Sequence, residues 1–198
     1  MDFLPAPEHP RLPAGEVHVW RLELDPGRPR ASRQELREVL ARYLDERAEA
    51  IELSEDERGK PRLAQERPQL HFNLSHSGAL VLVAVSRDLE VGVDVERVKP
   101  GRDFVALAER ALAPEDAMAV REATEDARAG VFYERWTHHE ARIKCQGLGL
   151  GSAPPRSPEV TVATLPIDPG YAAALAATGP APLRFHCWTF GPPLPEDG

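Results

Sequence analysis

A chain of 198 residues with 42% hydrophobic content can bury a generous core, as one domain or as two small ones. Its 24 basic and 32 acidic side chains leave a net charge of −8, spread over both halves, which excludes a basic patch of the nucleic-acid-binding kind. No apolar stretch is long enough to span a bilayer, and residues 1–16 carry prolines and acids where a signal peptide would have a basic start and an apolar run, so the expected location is the cytosol.

Val17 and Val19, with Trp20 and Leu22, predict a first strand closed by the turn-forming residues 25–29, DPGRP. From Ser32, an N-cap residue type, Leu36, Val39, Leu40, Tyr43 and Leu44 recur at helical spacing and predict a helix packed on a sheet. Ile51 and Leu53 predict a short strand, and residues 57–61, ERGKP, a turn. Three β-rich segments follow at 70–75, 79–86 and 91–97, the last two expected to form a hairpin.

Residues 102–122 read as helical, with Pro114 in a first-turn position ahead of Glu115 and Asp116. Thr124 is expected to cap a long helix through Val131, Phe132, Trp136 and Ile143, ended by Gly147 or Gly149. Strands are expected at 159–165, 171–178 and 183–190, then a frayed tail over 191–198. This predicts an α/β (α+β) protein of two halves, 1–99 and 100–190, meeting near Pro100, although no repeat is visible. Cys145 and Cys187 are too few and too far apart for a disulfide framework or a zinc site and read as small core residues.

Two short stretches carry the chemistry. In VGVDVER, Asp94 and Glu96 are two apart on a strand and share a face; in WTHHEARIK, Glu140 and Lys144 are four apart on a helix and share another. Taken singly, the first fits the wet face of a half-buried strand and the second a surface helix pair. Three carboxylates brought together would repel, by about 4 kcal/mol for two unit charges about 4 Å apart at an effective dielectric of about 20. A hard divalent cation removes that penalty, and an oxygen-only donor set selects magnesium, manganese or calcium, which points to phosphate chemistry. Only three of the 24 basic residues are lysines: Lys60 within GKP, Lys99 shortly after Glu96, and Lys144 one helical turn after Glu140.

Taken in order, Gly59-Lys60-Pro61, Phe72-Asn73-Leu74-Ser75-His76-Ser77, Gly92-Val93-Asp94-Val95-Glu96 and Trp136-Thr137 followed by Glu140, Ala141, Lys144 and Gly147 resemble the 4′-phosphopantetheinyl transferases of the Sfp type. The resemblance implies two similar small α/β halves in a pseudo-two-fold arrangement. It implies magnesium-dependent transfer of phosphopantetheine from coenzyme A to a serine of an apo acyl or peptidyl carrier protein, releasing adenosine 3′,5′-bisphosphate. Asp94, Glu96 and Glu140 would bind the magnesium, Glu140 would act as general base and Lys144 would stabilise charge on the pyrophosphate. Ser75 and His76 would lie near the 3′-phosphate and adenosine, and Lys60 and Pro61 beside the adenine. His138 and His139 diverge on a helix and read as surface or substrate-entry residues.

One feature departs from the family. Its members usually carry an arginine- and lysine-rich segment between the first strand and the following helix, where this chain has only Asp25 to Arg30. Either Arg28, Arg30, Arg33 or Arg37 takes over the contact to the 3′-phosphate, or coenzyme A binds more weakly. Two alternatives stay open: a non-catalytic relative that binds carrier protein or a nucleotide, and an unrelated magnesium-dependent phosphohydrolase. A monomer is the simplest expectation.

Overall fold

The computed structural model describes residues 3–7, 9–23, 32–55, 61–64, 70–148 and 159–190. Strand β1 spans Leu4–Pro5 and β2 Glu16–Glu23; helix α1 spans Ser32–Leu44; β3 spans Leu53–Glu55, β4 Pro61–Leu63, β5 His71–Ser77, β6 Leu80–Ser86 and β7 Val91–Arg97. Helices α2 (Phe104–Ala111), α3 (Pro114–Glu122) and α4 (Glu125–Cys145) follow, then β8 (Val160–Thr164), β9 (Tyr171–Thr178) and β10 (Arg184–Thr189). The mixed α/β architecture expected from the sequence is the one observed. Among the described residues, no helix is long and apolar enough to cross a membrane.

The strands form a five-stranded sheet of order β1-β10-β2-β6-β5, a three-stranded sheet of order β7-β9-β8, and the hairpin β3-β4. Strand β6 is buried along its whole length, and its alternation shows why. Val81, Val83 and Val85 meet Leu36, Val39 and Leu40 of α1, whereas Leu82 and Ala84 meet Val91, Val93 and Val95 of β7. The other face of the small sheet, through Ala174 and Ala176, packs on Ala141 and Cys145 of α4. The layers therefore run α1, large sheet, small sheet, α4. Each aliphatic side chain buried between them contributes about 1.5–3 kcal/mol by leaving water.

Sheet pairing crosses the expected junction near Pro100. Strand β7 pairs antiparallel with β9, and β10, from the end of the chain, pairs parallel with β2. The hairpin expected between residues 79–86 and 91–97 is not formed. Strand β6 turns back instead on β5, across Gly78 and Ala79, and its other edge is taken by β2, so no edge is left for β7. Pro61 lies in strand β4 rather than in the expected turn, and Ile51 precedes β3 rather than belonging to it.

In the helical region a break at Leu112 and Ala113 divides the expected 102–122 segment, with Pro114 at the first turn of α3. Thr124 precedes α4 as expected, but its side chain makes no capping bond; its carbonyl accepts from the Ala127 and Arg128 amides instead. At the other end Gly147 adopts φ +66°, and the Leu148 amide reaches back to the Ile143 carbonyl at 3.0 Å, satisfying an orphan acceptor of the last turn. Gly149 and the tail 191–198 lie outside the described residues. Cys145 and Cys187 are not disulfide-bonded, and both are buried.

Candidate active site

Strand β7 alternates strictly. Val91, Val93 and Val95 enter the core between the two sheets, so Gly92, Asp94 and Glu96 take the opposite face, toward α4. At Gly92 helix and strand all but touch: a Cβ there would lie 2.1 Å from the Ala141 carbonyl oxygen and 2.3 Å from the Cys145 amide nitrogen. No residue with a side chain fits that gap. The close approach sets Glu140 and Lys144, one helical turn apart on α4, over the acidic end of the strand.

The Lys144 ammonium lies 2.6 Å from Asp94 Oδ1 and donates also to Ser75 Oγ at 3.0 Å and to the Val93 carbonyl at 3.3 Å. The Ser75 hydroxyl donates to the same Asp94 Oδ1 at 2.8 Å, and the Ser77 hydroxyl donates to Glu96 Oε2 at 2.9 Å. Asp94 is 4% exposed and Glu140 3%. Each keeps one buried carboxylate oxygen, Asp94 Oδ2 and Glu140 Oε1, without a hydrogen-bond partner. Two orphaned anionic oxygens in a core are costly, and such atoms usually mark a place where something else binds.

The Glu140 acid is pushed up to about 7, first by burial and then by the negative charge of Asp94; Lys144 opposes this and Glu96 adds to it. The four residues are thus electrostatically coupled although they come from two elements. Among the described residues, no group of three or more histidine, cysteine or acidic side chains closes tightly enough to hold a metal ion as it stands. The cation next to Asp94 here is Lys144.

The remaining expected positions are scattered more widely. Ser75 is buried in the Asp94–Lys144 cluster, whereas His76, the next residue on β5, points the other way and is exposed. Pro61 is half-buried in β4, and Lys60 lies outside the described residues, as do Arg28 and Arg30. Arg33 is ion-paired with Glu55, and Arg37 donates from Nε to the Ile51 carbonyl at 3.0 Å. An open groove of about 520 Å³ beside α1 is lined by Gln34, Arg37, Glu49, Ile51, Glu52, Leu53 and Ala64, and by none of the four coupled residues. His138 bonds Thr164 at 2.8 Å, tying α4 to β8, and His139 packs on Trp136.

Ser77, Asn73 and Gly92 belong to the site although the sequence motifs that contain them assign them no role. The signal was available for two of them, because Asn73, Ser75 and Ser77 recur every second residue and therefore share one face of β5. Gly92 carried no such signal, since the helix it meets lies far along the chain.

Comparison with known proteins accords with this arrangement. A profile of the 4′-phosphopantetheinyl transferase superfamily matches residues 90–192, and one of the 4′-phosphopantetheinyl transferase N-terminal region matches residues 17–88. The chain is 29% identical to the 4′-phosphopantetheinyl transferase HetI of Nostoc sp., over 98% of this chain and 90% of that protein. It is 31% identical to the 4′-phosphopantetheinyl transferase psf-1 of Bacillus pumilus, over 76% of this chain and 73% of the relative. Identity is 30% to the 4′-phosphopantetheinyl transferase ffp of Bacillus subtilis, over 66% of this chain and 64% of that one. The first profile spans β7, the helices α2 to α4 and the strands β8 to β10, including the two elements that carry Asp94, Glu96, Glu140 and Lys144, and the chain belongs to the 4′-phosphopantetheinyl transferase superfamily.

Proposed function

We propose that the coupled cluster is the transfer site: Asp94, Glu96 and Glu140 hold a magnesium ion, Glu140 is the general base, and Lys144 binds phosphate. The enzyme is a 4′-phosphopantetheinyl transferase, moving the phosphopantetheine arm of coenzyme A to a carrier protein. The observation that carries the site assignment is the meeting of Asp94, Glu140 and Lys144 with two buried carboxylate oxygens left unpartnered. Hard anionic oxygens suit a hard divalent cation, so the donor chemistry fits the ion, and the three carboxylates would have to draw closer to hold it. Bound there, magnesium would offset the carboxylate repulsion and draw negative charge from the pyrophosphate oxygens.

In the reaction the carrier serine oxygen bonds to the β-phosphorus of coenzyme A, and the bond to the bridging oxygen breaks. Adenosine 3′,5′-bisphosphate leaves with that oxygen. The serine proton goes to Glu140, a buried carboxylate one helical turn from Lys144. Lys144 has 25% of its side chain exposed, and it meets the charge that develops on the leaving phosphate. Its salt bridge to Asp94 holds the ammonium at the site beforehand.

Weaker coenzyme A binding belongs to the same reading. The alignment with HetI runs over 226 positions against a chain of 198 residues, so that relative carries insertions missing here. Arg33 and Arg37 are engaged with Glu55 and Ile51. A monomeric, cytosolic enzyme completes the proposal.

The test is the mass of an apo carrier protein after incubation with enzyme, coenzyme A and magnesium. A phosphopantetheine adduct is expected with the natural enzyme and none with Asp94→Ala or Glu140→Ala. An adduct that persists in either variant overturns the site assignment, and no adduct with any of several carriers overturns the activity.

A further inference from the structure

Strands β5 and β7 are edge strands of different sheets, and a line of side chains joins them. The Val93 amide donates to Asn73 Oδ1 at 2.9 Å, the Val95 amide to Ser75 Oγ at 3.4 Å and the Arg97 amide to Ser77 Oγ at 3.0 Å. In all three bonds donor and acceptor are 20 residues apart, so the strands run parallel in one fixed register. Each serine also donates its proton to the carboxylate 19 residues ahead, Ser75 to Asp94 and Ser77 to Glu96. A hydroxyl has one proton and two lone pairs. With the amide on a lone pair and the proton on the carboxylate, its orientation is set from both sides.

We propose that Ser77 is a positioning residue of the metal site, holding the Glu96 carboxylate by Oε2 in a single orientation through a hydroxyl that the Arg97 amide pins. This rests on the reading of Glu96 as a metal ligand. Ser75 does the same for Asp94, but it also touches Lys144, so Ser77 isolates the effect. Partners of ligating carboxylates commonly matter by about 10–100-fold in metal affinity.

Ser77→Thr and Ser77→Val are nearly isosteric, both suit a strand, and they differ in the hydroxyl. Mn2+ affinity is measured by water-proton relaxation in the presence of coenzyme A. The Thr variant is expected to bind as the natural enzyme does and the Val variant about tenfold more weakly, with no further loss when Ser77→Val is added to Glu96→Gln. Equal affinity in the Thr and Val variants overturns the proposal, as does an equal loss from Ser77→Val in the Glu96→Gln background. Unchanged Mn2+ affinity in Glu96→Gln alone refutes the ligand reading itself, a separate result.

Discussion

Gly92 of β7 stands against Ala141 of α4 so closely that a methyl group on it would sit 2.1 Å from the Ala141 carbonyl oxygen. The obstacle is helix backbone, which cannot rotate away as a side-chain end could. Gly92→Ala must push α4 off the sheet, carrying Glu140 and Lys144 with it. The expected cost is about 3 kcal/mol or more, at the top of the range for overpacking. Chemical denaturation measures it, and a variant as stable as the natural protein would refute the close approach.

Asp94 and Lys144 act on Glu140 in opposite senses. The negative charge of Asp94 raises the Glu140 acid and the positive charge of Lys144 lowers it. Carbon-13 NMR titration of Glu140 in metal-free enzyme should therefore show its pKa falling in Asp94→Asn and rising in Lys144→Met. Shifts of the same sign in both variants would contradict the charge arrangement.

Glu140 also makes stability depend on pH. Its pKa is raised from 4.5 unfolded to about 7 folded, so the contribution is full below 4.5 and is lost as pH rises through 7. Above that, Glu140→Gln should be more stable than the natural enzyme, by about 2–3 kcal/mol in metal-free buffer, while losing activity. Urea unfolding of both proteins at about pH 4 and about pH 8 tests it; an advantage that is the same at both pH values would count against the burial of the charge.

His18 produces the opposite slope at the far side of the large sheet. It is 1% exposed, its Nδ1 lies 2.8 Å from the Tyr43 hydroxyl, and burial, with His186 adding, lowers its pKa from 6.5 to about 4. The folded protein holds it neutral while the unfolded chain takes a proton, so its stability is present above 6.5 and lost as pH falls toward 4. The loss should be about 2 kcal/mol by about pH 5. Urea midpoints for the natural protein and for His18→Gln should show this part of the slope vanish in the variant.

The four coupled residues were legible in the sequence because their patterns are local. Two residues apart on β7 and four apart on α4 decide a shared face whatever the tertiary structure, and the valines of β7 announced the strand. Partner choice was not legible. Nothing near residue 91 says that β7 leaves β6 for β9, since β6 is already paired on both edges. Ser75 shows the same limit: its spacing puts it on one face of β5 with Asn73 and Ser77, but does not say that its hydroxyl meets Asp94 and Lys144. That meeting depends on a register between two sheets which no short window of sequence encodes.

Strand β10 lies between β1 and β2, parallel to both. During synthesis β2 therefore keeps an open edge until residues 184–189 have emerged. Until then the hydrophobic strands of the first sheet are those most in need of a chaperone, and fragments ending before residue 184 should aggregate rather than fold.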